Sequence, residues 1–276
     1  MRFIVRTPPA SLAAIVEHLW WFEGDLPAGR ERVLPTGSAQ LLVNLDQDEL
    51  RSYDADGRAL IERSRGAILG APSRAPIAID PGAQRRIVGV AFRPGGTWPL
   101  LRSPVDAFAG APAELGDVWG RAGEVVRERL LAAAEPDRRA GTDVDAHAAL
   151  TELGRVLLEQ VARPLAADRA VGLALRAFEH GASVAAVVEA TGLAERTLLR
   201  RFRDRVGLSP KRYARVRRFQ RALAVAGAAA EVDWARVALD LGFADQAHLI
   251  HEFRAFAGMS PTAYRPVAGM RNHVEL

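Results

Sequence analysis

Two stretches in the last third of this 276-residue chain repeat one another. SVAAVVEATGLAERTLLRRFRDRVGLSPKRY (183–213) aligns with DWARVALDLGFADQAHLIHEFRAFAGMSPTAY (233–264). Gly192 matches Gly242 at a spacing of 50, and Ser183 matches Asp233. Past the middle the spacing becomes 51: Phe202 matches Phe253, Gly207 matches Gly258, Ser209-Pro210 matches Ser260-Pro261, and Tyr213 matches Tyr264. A supersecondary unit that occurs twice constrains the fold more than any composition figure.

Each copy has the same local grammar. Ser183 or Asp233 caps a short helix. Gly192 or Gly242 stops it by taking a left-handed conformation. One apolar residue, Leu193 or Phe243, pins the turn, and a second helix starts near Glu195 or Asp245, whose acid suits a helix N-terminus. Helix, short glycine turn, helix is a helix-turn-helix unit. A Ser-Pro pair then predicts a further helix, with Ser as cap and Pro in the first turn.

At about 100° per residue, Leu198, Leu199, Phe202 and Val206 fall on one side of the second helix of copy one. Arg196, Thr197, Arg200, Arg203 and Asp204 fall on the other. Arginine can pair bidentately with a guanine edge in a major groove. In copy two the outward residues are Ala247, His248, His251 and Arg254, with Gln246 at the helix start; this face is less basic. Between the copies, Pro210 to about Ala226 reads as one long helix with Tyr213, Val216, Phe219 and Leu223 on its apolar side. Arg212, Arg215, Arg217, Arg218 and Arg221 lie off that side, as candidates for phosphate contacts. Such a connector would hold the two units about one helical turn of duplex DNA apart.

Charge follows the same division. The net charge is +4, yet residues 170–276 carry 16 basic and 10 acidic residues and residues 1–169 carry 21 and 23. The excess of positive charge in the repeated region is the footprint of a polyanion-binding domain. An Arg-rich helix face alone is usually just solvated surface; the duplication gives it meaning.

Residues 170–266 resemble the DNA-binding domain of the AraC family of bacterial transcription regulators. The resemblance is carried by GFADQAHLIHEFRAFAGMSPTAYR (242–265) and TGLAERTLLRRFRDRVGLSPKRY (191–213). It departs from the family pattern at Ala247, where Ser is usual, and at His248-Leu249 with His251, where an aromatic and an Arg are common. It implies two helix-turn-helix units joined by a long helix, and sequence-specific binding to double-stranded DNA with RNA polymerase as a partner.

Residues 1–95 read as β-rich behind one leading helix, Leu12 to about Trp20, capped by Ser11. Strand character falls at Ala39–Leu45, Ala67–Leu69, Ile77–Ile79 and Ile87–Phe92, separated by turns such as Asp54-Ala55-Asp56-Gly57 and Arg93-Pro94-Gly95-Gly96. Helical patterns follow over Gly120–Ala134 and Val144–Val161. The fold expected is multi-domain: an N-terminal α+β domain, 1–165, built on a small β-barrel or sandwich with helices, and an all-α C-terminal domain, 170–268. The boundary is placed in Ala162–Asp168. Through RVLPTGSAQLLVNLD (32–46) and VGVAFRPGGTWPLL (88–101), the first domain resembles the β-rich domains attached to some AraC-family members. That implies a small-molecule effector or a homodimer contact.

Other residues weigh less. His248 and His251 stand at a spacing that could hold a metal, but no acid joins them on that face. Arg93–Gly96 lacks the Lys-Ser/Thr of a phosphate loop. Trp20, Trp21, Trp98 and Trp119 are pocket candidates, although aromatics in a small β domain are mostly core. His18 reads as packed or surface. The Val144–Val161 stripe could face a second copy or its own domain. There are no cysteines, which removes disulfides, thiolate nucleophiles and Cys-based zinc. No Ser-His-Asp or paired-carboxylate spacing is readable, so no catalytic residue, cofactor or metal is expected. The alternative is an enzyme with an appended DNA-targeting domain. The N-terminus lacks a signal-peptide pattern and no apolar run reaches membrane length, so a cytoplasmic protein is expected.

Overall fold

The computed structural model describes residues 1–26, 29–134, 143–166, 168–228, 232–267 and 269–276. In chain order the N-terminal half contains β1 (Arg2–Arg6), β2 (Val16–Glu23), β3 (Glu31–Val33), β4 (Gln40–Asn44), β5 (Leu50–Tyr53), β6 (Leu60–Ser64), β7 (Ala67–Gly70), β8 (Ile77–Ile79), β9 (Arg86–Phe92) and β10 (Ala113–Glu114). Helices α1 (Leu115–Trp119), α2 (Arg121–Glu124), α3 (Val126–Ala133) and α4 (Asp143–Glu159) follow. The C-terminal part comprises α5 (Arg169–Glu179), α6 (Val184–Thr191), α7 (Glu195–Val206), α8 (Pro210–Ala228), α9 (Trp234–Asp240) and α10 (Gln246–Ala257). Two strands close the chain, β11 (Pro266–Val267) and β12 (Met270–Glu275).

The strands form two antiparallel sheets. The first has the order β1-β2-β9-β4-β7-β10 and the second β11-β12-β3-β8-β5-β6. Side chains alternate across the first sheet as the pleat requires. Leu19, Trp21, Leu41, Val43, Val88, Val90 and Phe92 face a core completed by Leu130 of α3 and Leu150, Leu153, Val156 and Leu157 of α4. Trp20, Leu42 and Ile87 face the other way, towards the second sheet. The α4 stripe thus packs on its own domain.

The expected N-terminal α+β domain and all-α helix-turn-helix domain are both present, with three local corrections. The leading helix is absent. Ser11 lies in a single 3-10 turn, Ala10–Leu12, without a side-chain cap, and Val16–Glu23 is a strand. Its bulky residues alternate between two buried faces, which a helical reading takes for one stripe. Gly120–Ala134 is broken: α1 ends at Gly120 and the chain resumes as α2 and α3. Ser260-Pro261 opens only a 3-10 turn, Pro261–Ala263.

The largest difference is at the end of the chain. After the second unit the backbone returns to the N-terminal half, where β12 pairs with β3 in the register His273↔Val33, Val274↔Arg32 and Glu275↔Glu31. The second sheet is therefore completed by residues from beyond the helical repeat. The expected boundary stretch Ala162–Asp168 precedes α5; Ala167 within it and Ala268 lie outside the described residues.

Trp20 lies flat on Gly89 of the neighbouring strand, its register partner. A methyl at position 89 would meet the indole at 2.4 Å. Gly89→Ala is expected to lower stability by about 1–3 kcal/mol through overpacking, read by chemical denaturation with tryptophan emission.

Candidate nucleic-acid interface

The two repeats fold into matching units. Ser183 caps α6, its Oγ accepting from the Ala186 N–H at 3.1 Å. Asp233 caps α9, accepting from Ala235 and Arg236 N–H at 3.1 and 3.0 Å. The turns place Gly192 at φ 65° and Gly242 at φ 74°, the left-handed region where a Cβ is penalised. The second helices, α7 and α10, also end alike, at Gly207 and Gly258. They begin differently: Ala194 offers no side-chain cap to α7, whereas the Asp245 carboxylate accepts from the His248 N–H at 2.7 Å. Asp245 is thus the residue before α10.

The buried stripe of α7 is Leu198, Phe202 and Val206, with Phe202 edge-on to Phe178 and Tyr213 at 5.5 and 5.6 Å. In α10 it is Leu249, Phe253, Phe256 and Ala257. Away from these stripes, Arg196, Arg200 and Arg203 are exposed and Thr197 is half-exposed. Among the described residues no hydrogen bond or ion pair engages the three guanidinium groups. Gln246, Ala247, His251 and Arg254 are exposed on α10. His248 is not fully outward. It is half-buried, its Nδ1 accepts from the Ala244 N–H at 3.2 Å, and its ring stands edge-on to Phe243.

The connector α8 gives four of its arginines partners within the protein. Arg215 forms a two-pronged pair with Glu252 of α10, Nε to Oε2 at 2.8 Å and Nη2 to Oε1 at 2.5 Å. Arg217 reaches Glu179 of α5 at 3.3 Å. Arg218 donates to the Gly242 carbonyl at 2.9 Å and lies over Phe243. Arg212 is half-buried over the Phe256 ring. These side chains brace the units because α8 is enclosed by helices of both. Burial pulls the Arg212 and Arg218 guanidinium groups below their ordinary range. Burial alone would push Glu252 up; the hydrogen bonds and charge of Arg215 outweigh it and hold the carboxyl below the ordinary carboxylate value.

A cavity of about 380 Å³ lies between the two sheets. Trp20, Phe22 and Gln40 line it from the first sheet, Ile79 and His273 from the second, and Gln220 from α8. His18 lines it too, and Trp20 is the only one of the four tryptophan candidates that does. Trp21 is core, Trp119 donates to the Leu100 carbonyl, and Trp98 stacks with Arg163 and Arg205. Arg93–Gly96 is a plain turn, the Gly96 N–H bonding the Arg93 carbonyl at 2.7 Å.

Two residues had no signal in the repeat. Arg32, on β3, is 6 % exposed and donates to the Ala257 carbonyl at the end of α10 at 2.9 Å, while also pairing with Asp56. Gln220 donates to the Pro35 carbonyl at 2.7 Å and to Asn272 Oδ1 at 2.9 Å. Both join the halves of the molecule.

Residues 164–266 match the family model described as helix-turn-helix domain, and residues 5–113 match one described as a domain of unknown function (DUF6597). No curated protein matches the chain. Among solved structures, a probable AraC family transcriptional regulator from Rhodopseudomonas palustris is 24% identical, over 34% of this chain and 93% of that one, with a TM-score of 0.31. ToxT from Vibrio cholerae is 9% identical, over 96% of this chain and 98% of that one, with a TM-score of 0.44. A structure of unsaturated fatty acid bound ToxT is 8% identical, over 95% of each chain, with a TM-score of 0.42. Over the last third, then, the chain is similar to helix-turn-helix domains, in agreement with the two units described above. Among the described residues no helix is long and apolar enough to cross a membrane.

Proposed function

We propose that this protein is a sequence-specific, AraC-type transcription regulator that reads two successive major grooves, one with α7 and one with α10. The observation that carries the reading is the paired construction. Two second helices, each held by a buried apolar stripe, turn polar faces outward from one connector. Arg196, Thr197, Arg200 and Arg203 are assigned to the first groove, and Gln246, His251 and Arg254 to the second. His248 contributes at most an edge, since its Nδ1 already holds the turn. Arg212 and Arg218 act mainly through the protein, fixing the units rather than neutralising phosphates. The less basic face of α10 gives the second groove the smaller share of binding energy. In this reading the N-terminal domain senses a small molecule, and the cavity between its sheets is the site.

Binding is expected to weaken as salt rises, because the exposed guanidinium groups of α7 and α10 displace condensed counterions as they approach the duplex. Arg200→Ala is expected to cost the specific site about 1–3 kcal/mol, through loss of a bidentate base contact, while non-specific binding changes far less. Titration of a site selected from random duplexes, beside a scrambled duplex, checks this. Equal loss on both would remove Arg200 from base readout.

A further inference from the structure

The two reading units are held to the N-terminal domain at different places. The first is docked on segments that follow β9 of the first sheet. Gly95 lies against the Arg205 carbonyl and Val206 at the end of α7, Arg205 stacks on Trp98, and Gly207 abuts Val105. The second unit is tied to the second sheet. Its core residues Phe219, Phe253 and Phe256 are continuous with Leu34 after β3 and Val274 on β12. Arg32 of β3 caps α10, and the Tyr264 hydroxyl donates to the Arg271 carbonyl at 2.5 Å. Between these two anchorages lies the cavity, walled by one sheet on each side and bridged by Arg217 and Gln220 of α8.

We infer that the cavity regulates DNA reading by spreading the two sheets, and that the C-terminal strand β12 is the joint passing this movement to the second unit alone. The inference rests on the reading of the chain as an effector-controlled regulator and names how that control works. A body wedged between the sheets moves the anchor of α10 relative to that of α7. The two reading faces then no longer match the spacing of adjacent grooves, which is fixed by the duplex. The strand is built for such a joint. Its six residues join the body of the second sheet through β3, a strand of only three residues, in three register pairs, and the same strand forms the cavity wall through Met270 to His273.

The absence of cysteine makes distance measurements direct. Spin labels are placed in the full chain at exposed Ala132→Cys on α3, Ala190→Cys on α6 and Leu239→Cys on α9. The 132–190 and 132–239 distances are measured in pairs, first in the otherwise intact chain. They are repeated in three backgrounds: a chain ending at Val267, Arg32→Met, and Ala91→Trp, which fills the cavity with a side chain instead of a ligand. The expected result is a broadened 132–239 distribution in the first two backgrounds, a displaced one in the third, and a 132–190 distribution unchanged in all. An unchanged 132–239 distribution overturns the inference. So does an equal change in both distances, since the units would then move as one body. Because these distances need no DNA, they separate this inference from the regulator reading. Failure of the intact chain to retain any sequence from a random duplex pool would count against the regulator reading alone.

Discussion

Phe253→Ala is expected to lower stability by about 3–5 kcal/mol, the range for removing a fully buried aromatic from a packed core. Phe253 is 1 % exposed and touches rings from three directions: Phe219 of α8 at 5.3 Å, Trp234 of α9 at 6.4 Å and Tyr264 of the tail at 6.0 Å. It stands where the connector, both helices of the second unit and the returning chain meet, so no single neighbour can collapse into the space. The first unit has its own core around Phe178, Phe202 and Tyr213. The variant should therefore lose base preference over the second half of its DNA site before the first. Chemical denaturation combined with site selection from random duplexes checks both parts. A cost below about 1 kcal/mol would mean that the second unit is far less tightly packed than its rings indicate.

The second large effect concerns the ion pair joining α8 to α10. Glu252 is 5 % exposed, and among the described residues its charged hydrogen-bond partner is Arg215. Glu252→Ala leaves that guanidinium half-buried without its anion, at an expected cost of about 3 kcal/mol. Replacing both by methionine should recover most of the loss, because the desolvation penalty of the two charges disappears together. The pair also sets a pH dependence. The folded-state carboxyl is held below its ordinary value of 4.5. Its contribution is complete above that value and is lost as pH falls through the lower folded one. Acid unfolding of the double-methionine protein should lack this component. Identical acid limbs in parent and double variant would show that Glu252 does not titrate in this window.

The helical third was readable because everything that shapes it is local. Capping residues, turn glycines and apolar stripes recur at fixed spacing, and a second copy checks each assignment. Its outward faces, Arg196, Arg200 and Arg203 on α7 and His251 and Arg254 on α10, follow from the same wheel. The connector arginines show what the wheel leaves out. A wheel separates apolar from polar, but cannot tell a guanidinium in water from one folded over Phe243 or paired with a buried glutamate. In the β-rich half, Trp20 and Trp21 are both apolar yet point to opposite faces of one sheet, so β2 imitates a helix. The β12 strand was out of reach. Its alternation, Met270-Arg271-Asn272-His273-Val274-Glu275, is weak, and its partner β3 lies more than two hundred residues earlier. Pairings of that range leave no periodic trace, and Arg32 and Gln220, which depend on them, were invisible for the same cause.

The cap supplied by Arg32 has one more consequence. The carbonyl end of a helix carries partial negative charge, and here the cation that meets it belongs to the opposite half of the polypeptide. Cutting the last hundred residues free would leave that terminus facing water and remove Leu34 from the buried cluster it shares with Val216, Phe219 and Phe256. Such a fragment is not a miniature of the parent. Its α10 would fray from the distal turn, and an affinity measured on it would describe a helix unlike the one in the intact molecule.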